Sequence, residues 1–455
     1  MLKHFITNMF SHLIIVRNNP IMKGIKKLQN KNFIRNVFTV ATGTVVAQVI
    51  TMGFSPIITR IYGPEIFGVL GVFQSIVAIL TPIAALTYPI AIVLPKEDLE
   101  AKGLMRLSFF IAIIMSIIIG LSIALFGPNI IELFQIEVLG SYLFIIPLVM
   151  FFSAVLQILN QWVIRKKLYN LKAKVAVTQS LLINSSKSGI GLFYPTSLTL
   201  ILITSLGDAL HSVMLAIGVV KKSFNEKVQG KLHYSVRDIL GLFKKYQDFP
   251  KYRAPEVFSN AISQSLPILL LTTFFGPAVA GFYTIGKSVL SVPSQLIGSA
   301  IGDVFYPRIS EASNKNESVC KLLTKATLIM AIVGFIPFSI IIFFGPSLFS
   351  VIFGTEWSTA GEYARWMALW SFFAFINIPS IKTLPVLSAQ RFLLSFSLTA
   401  IIVRLVALII GSYLFNSDVI AIMLFSVSGA ILNIILILGT IAKSKLFDNR
   451  NDFYK

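Results

Sequence analysis

The chain has 455 residues, of which 55% are hydrophobic and only 13% charged, a balance that excludes a soluble globular body for most of its length. The formal net charge of +20 would suit nucleic acid, but Lys and Arg fall in alternate gaps between apolar stretches, which is how membrane topology is written, and no nucleic-acid partner is expected. A lone cysteine, Cys320, and four scattered histidines exclude an internal disulfide and a Cys/His metal cluster, and no cofactor is expected.

Residues 1–35 form a basic N-terminal segment expected to be cytoplasmic. Its apolar part, 5–16, is too short to span and is interrupted by Asn8, Ser11 and His12. It reads as a short interfacial helix; alternatively Met22 is the true start, since MKGIKKLQNKNFIRN (22–36) is already a basic lead-in. No small-residue cleavage site follows, so no cleavable signal peptide is expected.

Six apolar spans follow at 36–59, 69–94, 107–126, 142–164, 175–194 and 196–220. Six more are predicted at 254–275, 282–306, 322–344, 366–387, 395–415 and 419–442. The fold class is therefore an all-α integral membrane protein of about twelve transmembrane helices in two six-helix bundles, 36–220 and 254–442. Between them, 221–253 is too polar to span and carries Val236, Ile239, Leu240 and Phe243 at helical spacing. It reads as an amphipathic helix on the membrane surface or as a solvated basic loop. A tail, 443–455, ends the chain.

Positive charges fix the expected orientation. Arg165, Lys166, Lys167, Lys172 and Lys174 follow the fourth span, and nine further Lys and Arg lie between Lys221 and Arg253, which places these gaps and both termini in the cytoplasm. The opposite gaps carry Glu65, Glu132, Glu137, Glu356, Glu362 and Asp418. The longest of them is predicted at 345–365.

The second half repeats the first. YGPEIFGVLGVFQS (62–75) aligns with FGPAVAGFYTIGKS (275–288), matching Gly63, Pro64, Gly68 and Ser75 to Gly276, Pro277, Gly281 and Ser288; FGPNI (126–130) aligns with FGPSL (344–348). Two six-span halves that start on one side make a parallel repeat, an arrangement suited to alternating access between bundles. RIYGPEIFG (60–68), the basic RKKLYNLKAK (165–174) and FFGPAVAGFYTIGKSVLSVPSQLIGSAIGDVFYPRISEA (274–312) resemble the polysaccharide and O-antigen flippases of the multidrug, oligosaccharidyl-lipid and polysaccharide exporter superfamily, over roughly 36–442. That resemblance implies a V-shaped twelve-helix transporter in the bacterial cytoplasmic (inner) membrane. It would flip undecaprenyl-pyrophosphate-linked oligosaccharide units for O-antigen or capsule assembly, with lipid-linked oligosaccharide, membrane lipid and the polysaccharide polymerase machinery as partners.

Cations escape the cytoplasmic gaps and tails at Arg60, Lys187, Lys287, Arg365, Lys382 and Arg404. A charge near the centre of an isolated span costs on the order of 3 kcal/mol, so such residues should face a cavity or a partner. Arg404 is the deepest, Lys187 lies in the polar run NSSKS (184–188), Lys287 reads as the outer third of its span, and Lys382 lies between Pro379 and Pro385. With Arg60 these are the candidate phosphate-facing cations. Lys187 could instead pair with Asp208, and Lys287 or Lys382 could snorkel to an interface.

Thr44, Gln48, Thr51 and Ser55 form a polar stripe at helical spacing, and Ser259, Asn260, Ser263 and Gln264 form a second cluster. Both suit sugar hydroxyls or, equally, hydrogen bonds between helices. Asp208 and His211 share a helix face and read as a proton relay or as an ion pair. Asp208 is the only acid deep in a span, which disfavours the rival reading, a multidrug cation antiporter of the same superfamily. No external loop is large enough for the active site of a polymerase or ligase, and no enzyme activity is expected.

Overall fold

The computed structural model describes residues 31–134, 137–223, 236–315 and 317–453. The expected interfacial helix at 5–16, the alternative start at Met22 and part of the linker, 224–235, lie outside the described residues. Among the described residues the chain is helical and has no strand.

The N-terminal half holds α1 (Lys31–Ala84), α2 (Asp98–Phe134), α3 (Ile146–Arg165), α4 (Tyr169–Gly191) and α5 (Ser197–Ser223). The linker carries α6 (Val236–Lys245). The C-terminal half holds α7 (Ala254–Phe275), α8 (Pro277–Pro293), α9 (Ser299–Asn314), α10 (Val319–Phe353), α11 (Ser358–Ile376), α12 (Ile378–Thr383), α13 (Gln390–Phe415) and α14 (Asp418–Phe453).

Eight helices among the described residues are long and apolar enough to cross a membrane. One of them, α1, has 54 residues, about 80 Å at 1.5 Å per residue, too long for one crossing of a core about 30 Å thick. It makes two crossings that meet at Gly63, where φ 68° and ψ 172° interrupt the helix. The polar α4, the short α8 continued by α9, and α11 supply the remaining three, giving twelve crossings in two six-helix bundles.

Gly276 mirrors Gly63, with φ 87° and ψ 174° between α7 and α8. Left-handed φ of this kind suits glycine, and the following Pro64 and Pro277 restart the helix. The two motifs face one another: a Cβ on Gly68 would stand 1.7 Å from the Pro277 carbonyl oxygen, and one on Gly281 would stand 2.0 Å from that of Pro64. Only bare backbone allows the halves to approach so closely.

Around this contact the bundles are bolted together. Arg60 Nη2 donates to the Val351 and Ile352 carbonyls at 2.9 and 3.3 Å, at the C-terminal end of α10 where carbonyls are otherwise unpaired. Trp357 is fully buried, donates from Nε1 to the Thr59 carbonyl at 3.3 Å and packs edge-on against Phe67 and Phe282. The largest apolar cluster accordingly runs through both bundles, joining Tyr62, Phe67 and Phe73 to Tyr283, Trp357 and Tyr363. The clusters nearer the other end each belong to one side: Leu104, Trp162 and Leu215 with the linker's Leu242, and Phe305, Ile309, Val319 and Leu323. The bundles therefore meet at the Gly63 end and part toward the Arg165 end.

Two expectations change. The 345–365 gap shrinks to a turn, because α10 stays helical through Gly345 and Pro346 to Phe353 and α11 begins at Ser358. Gly345 and Gly361 hold these helices together, a Cβ on either meeting the carbonyl oxygen of the other at 2.5 and 2.4 Å. The matching Gly127 and Pro128 lie inside α2, so both FGP echoes are helical, although only Gly345 packs closely on another helix.

The described part of the linker, in turn, docks on protein. Leu242 is buried, Tyr88 donates to the Phe243 carbonyl at 3.0 Å, and Lys245 Nζ meets Glu100 at 2.5 Å. That carboxylate holds the exposed Lys245 ammonium above the ordinary lysine range.

The glycine contact yields a direct test. Spin labels at exposed Glu65 and Thr355, in a Cys320→Ser background, should give one short distance in the unaltered protein. Gly68→Ala should shift the distribution to longer distances, since the methyl cannot fit; an unchanged distribution contradicts the contact.

Candidate functional site

The interior carries two polar regions of different chemistry. The first is a cavity of about 680 Å³ between the N-terminal bundle and α7. One face of each contributing helix lines it: Gln74, Val77, Ala78 and Thr81 of α1; Ser153, Gln157 and Asn160 of α3; Thr204, Ser205 and Asp208 of α5; Asn260 of α7. Their spacing of three, four and seven residues puts them on common helix faces. Ser153 Oγ donates a short hydrogen bond to the Asp208 carboxylate. Asn160 Oδ1 and Ser205 Oγ are buried and have no partner among the described residues. Asp208 is the only charged residue of the lining.

The second region lies inside the C-terminal bundle. Arg404 of α13 sits in the angle between two aromatic rings, its guanidinium carbon 3.9 Å from the Trp370 ring centre on α11 and 4.0 Å from that of Phe425 on α14. Ring faces attract the cation in place of a carboxylate. Among the described residues Arg404 forms no ion pair, and its buried Nε has no hydrogen-bond partner; the Trp366 Nε1 and Ser426 Oγ atoms are likewise unpartnered. Lys287 of α8 lies within electrostatic reach of Arg404, and its Nζ donates to the Gln264 carbonyl at 3.0 Å. Since α8 begins at Pro277, Lys287 stands about 15 Å along that helix from its start at 1.5 Å per residue.

The other candidates distribute between function and packing. Arg60 is a bolt at the Gly63 end, remote from both polar regions. Lys187 forms no ion pair among the described residues and contributes its backbone carbonyl to the Tyr62 hydroxyl at 3.0 Å. Asp208 accepts from Ser153 and lies within electrostatic reach of His211; among the described residues it makes no close ion pair with Lys187 or His211, and the His211 Nε2 is buried without a hydrogen-bond partner. Lys382 lies on α12, a short helix cut from α11 at Asn377.

In the first stripe Thr51 bonds Ser180 at 3.0 Å and accepts from Asn184 at 3.3 Å, joining α1 to α4. Thr44, Gln48 and Ser55 are outside the cavity lining, as are Ser263 and Gln264; only Asn260 of the two polar sets lines it. Gln74, Gln157, Asn160 and Ser205 were not singled out from sequence, although Ser153, Gln157 and Asn160 recur at helical spacing. Among the described residues the cations Arg404 and Lys287 lie together in the C-terminal bundle, whereas the lining of the open cavity carries one acid, Asp208, and no cation.

A family model described as polysaccharide biosynthesis protein matches residues 57–362, well over half of the chain. The chain belongs to this family. No curated protein matches it by sequence. Among solved structures it is similar to an inward-facing multidrug resistance MATE family transporter of the MOP superfamily, at TM-score 0.68 and 13% identity, covering 89% of this chain and 99% of the other. An outward-facing transporter of that family gives 0.58 and 13%, covering 91% and 96%. The lipid II flippase MurJ in an inward closed conformation gives 0.65 and 12%, covering 89% and 87%. This polysaccharide biosynthesis family member therefore has the two-lobed fold of that superfamily, with one polar region between the N-terminal lobe and α7 and the other inside the C-terminal lobe.

Arg404 can be removed without stranding an acid. Arg404→Ala should insert and fold, lowering stability by about 1–2 kcal/mol for the lost ring contacts. A loss of 3 kcal/mol or more in detergent thermal stability would reveal a buried counterion instead.

Proposed function

We propose that the protein flips undecaprenyl-pyrophosphate-linked oligosaccharide units across the bacterial cytoplasmic membrane for surface polysaccharide assembly, O-antigen or capsule, by alternating access and without enzyme chemistry. Its partners are the lipid-linked oligosaccharide, the surrounding lipid and the polymerase machinery that receives the product. The observation that carries this reading is the pair of intramembrane cations, Arg404 and Lys287, with no carboxylate beside them among the described residues. Donors without acceptors are an anion's complement, and a membrane-buried phosphate needs that offset. Membership of a polysaccharide biosynthesis family supports the saccharide part.

The Gly63 end is the periplasmic side and the basic Arg165 end the cytoplasmic one, in keeping with the positive-inside rule. The lobes, closed at the first and parted at the second, then correspond to an inward-facing state, and the better overlay on the inward-facing transporter supports this. Asp208 with His211 is the proposed site of coupling to a proton. The bolts at the Gly63 end, Arg60 among them, release in the outward-facing state.

Three outcomes test this. Reporter fusions after Lys174, within 221–253 and at the C-terminus should report cytoplasm, and one near Glu356 the periplasm; an external linker overturns the orientation. Deleting the gene, where no redundant transporter exists, should accumulate oligosaccharide-linked lipid on the cytoplasmic leaflet. Arg404→Lys should restore part of the export, since the charge survives but the planar fork does not, and Arg404→Ala none. Normal polymer in the deletion strain removes the reading.

A further inference from the structure

The cavity in the N-terminal lobe is not used by the phosphate argument, because its lining holds no Lys or Arg. We infer that it is a saccharide-binding site, in which Gln74, Gln157, Asn160, Asn260 and Asp208 meet the hydroxyls of the oligosaccharide head while the lipid's phosphates lie with the cations of the C-terminal lobe. This rests on the lipid-linked oligosaccharide reading and divides that substrate between the lobes.

Beside apolar Phe73, Pro82, Ile90, Val149 and Leu156, the polar part of the lining suits many-handed recognition of hydroxyls. Four carboxamides present both donors and acceptors, and one carboxylate accepts from paired hydroxyls. The buried, unpartnered Asn160 Oδ1 and Ser205 Oγ both belong to the lining, and a buried acceptor left unmade costs more than a typical hydrogen bond gains. Both atoms are covered as they stand, and a hydroxyl-bearing ligand pairs with them once their side chains turn into the cavity.

Geometry separates this from a single-ion site. Ser153, which holds Asp208, and Asn160 are seven residues apart on α3, about 10 Å along its axis at 1.5 Å per residue. Ion ligands must converge on one point within a few ångströms. Polar groups strung along a helix face do not converge, whereas an extended chain of sugars touches them in turn. The lobe position fits as well: Asn260 belongs to α7, the first helix of the other half, so a head group seated here lies at the seam between the lobes and can reach the C-terminal cations.

The test compares two probes on the full-length protein in nanodiscs: undecaprenyl pyrophosphate carrying the host's repeat unit, and undecaprenyl pyrophosphate alone. Gln157→Leu with Asn160→Leu should weaken binding of the glycosylated probe about tenfold or more, as for buried hydrogen bonds lost, and leave the bare probe unchanged. Gln74→Leu, at an exposed position, should weaken the glycosylated probe alone as well. Equal weakening of both probes, or of neither, overturns the site. So does a changed sodium dependence of bare-lipid binding with glycosylated binding intact, which would mark an ion site. If the unaltered protein binds neither probe, the lipid-linked reading itself falls, a result distinct from failure of the variants.

Discussion

Two backbone contacts hold the lobes together, Gly68 against the carbonyl of Pro277 and Gly281 against that of Pro64. Each glycine belongs to a Gly-Pro motif whose first residue takes a left-handed φ, so each motif both turns the chain at the membrane surface and presents a bare patch to its mirror copy. Close approach of this kind needs small residues, because lipid supplies no hydrophobic drive between helices and packing must do the work. Trp357, Arg60 and the mixed apolar cluster add specificity around that seam. Closing one end leaves the opposite ends free to diverge, and the cavity lies where the bundles part.

Within that frame the lobes treat charge differently. The C-terminal lobe keeps Arg404 in mid-membrane by ring contacts rather than by an acid. The two ring faces offset roughly 1–2 kcal/mol of an insertion cost of about 3 kcal/mol. Pairing with aspartate would have cancelled the charge; the rings leave it available to an anion. The N-terminal lobe keeps its one deep acid quiet with a serine hydrogen bond and surrounds it with amides. A polar lipid with a charged joint and a neutral head matches such a division.

The crossings, the duplicated halves and the Gly-Pro echo were legible in the sequence because each is local: a run of apolar residues, or a motif repeated at equal depth. Helix ends were less so. FGP at 126–128 and 344–346 reads as a stop, yet in both places the helix continues, and at the second Gly345 packs on Gly361, a residue no local pattern points to. Arg404 was found by depth alone, but its partners, Trp370 and Phe425, come from two other helices. Thr51 shows the converse. Its stripe looks solvent-lined by periodicity, and the neighbour that claims it, Ser180, is 129 residues away. Asn160 and Gln157 were passed over because a helix face has no outward sign of whether a cavity or a neighbour covers it.

The most direct measurement is transport by the purified protein in sealed vesicles, followed as loss of protection of a labelled head group from a membrane-impermeant reagent. The account predicts that undecaprenyl-pyrophosphate-linked oligosaccharide crosses at a rate set by the protein, that a negative interior speeds its exit, and that organic cations do not cross. Movement of organic cations with the lipid left in place would contradict it.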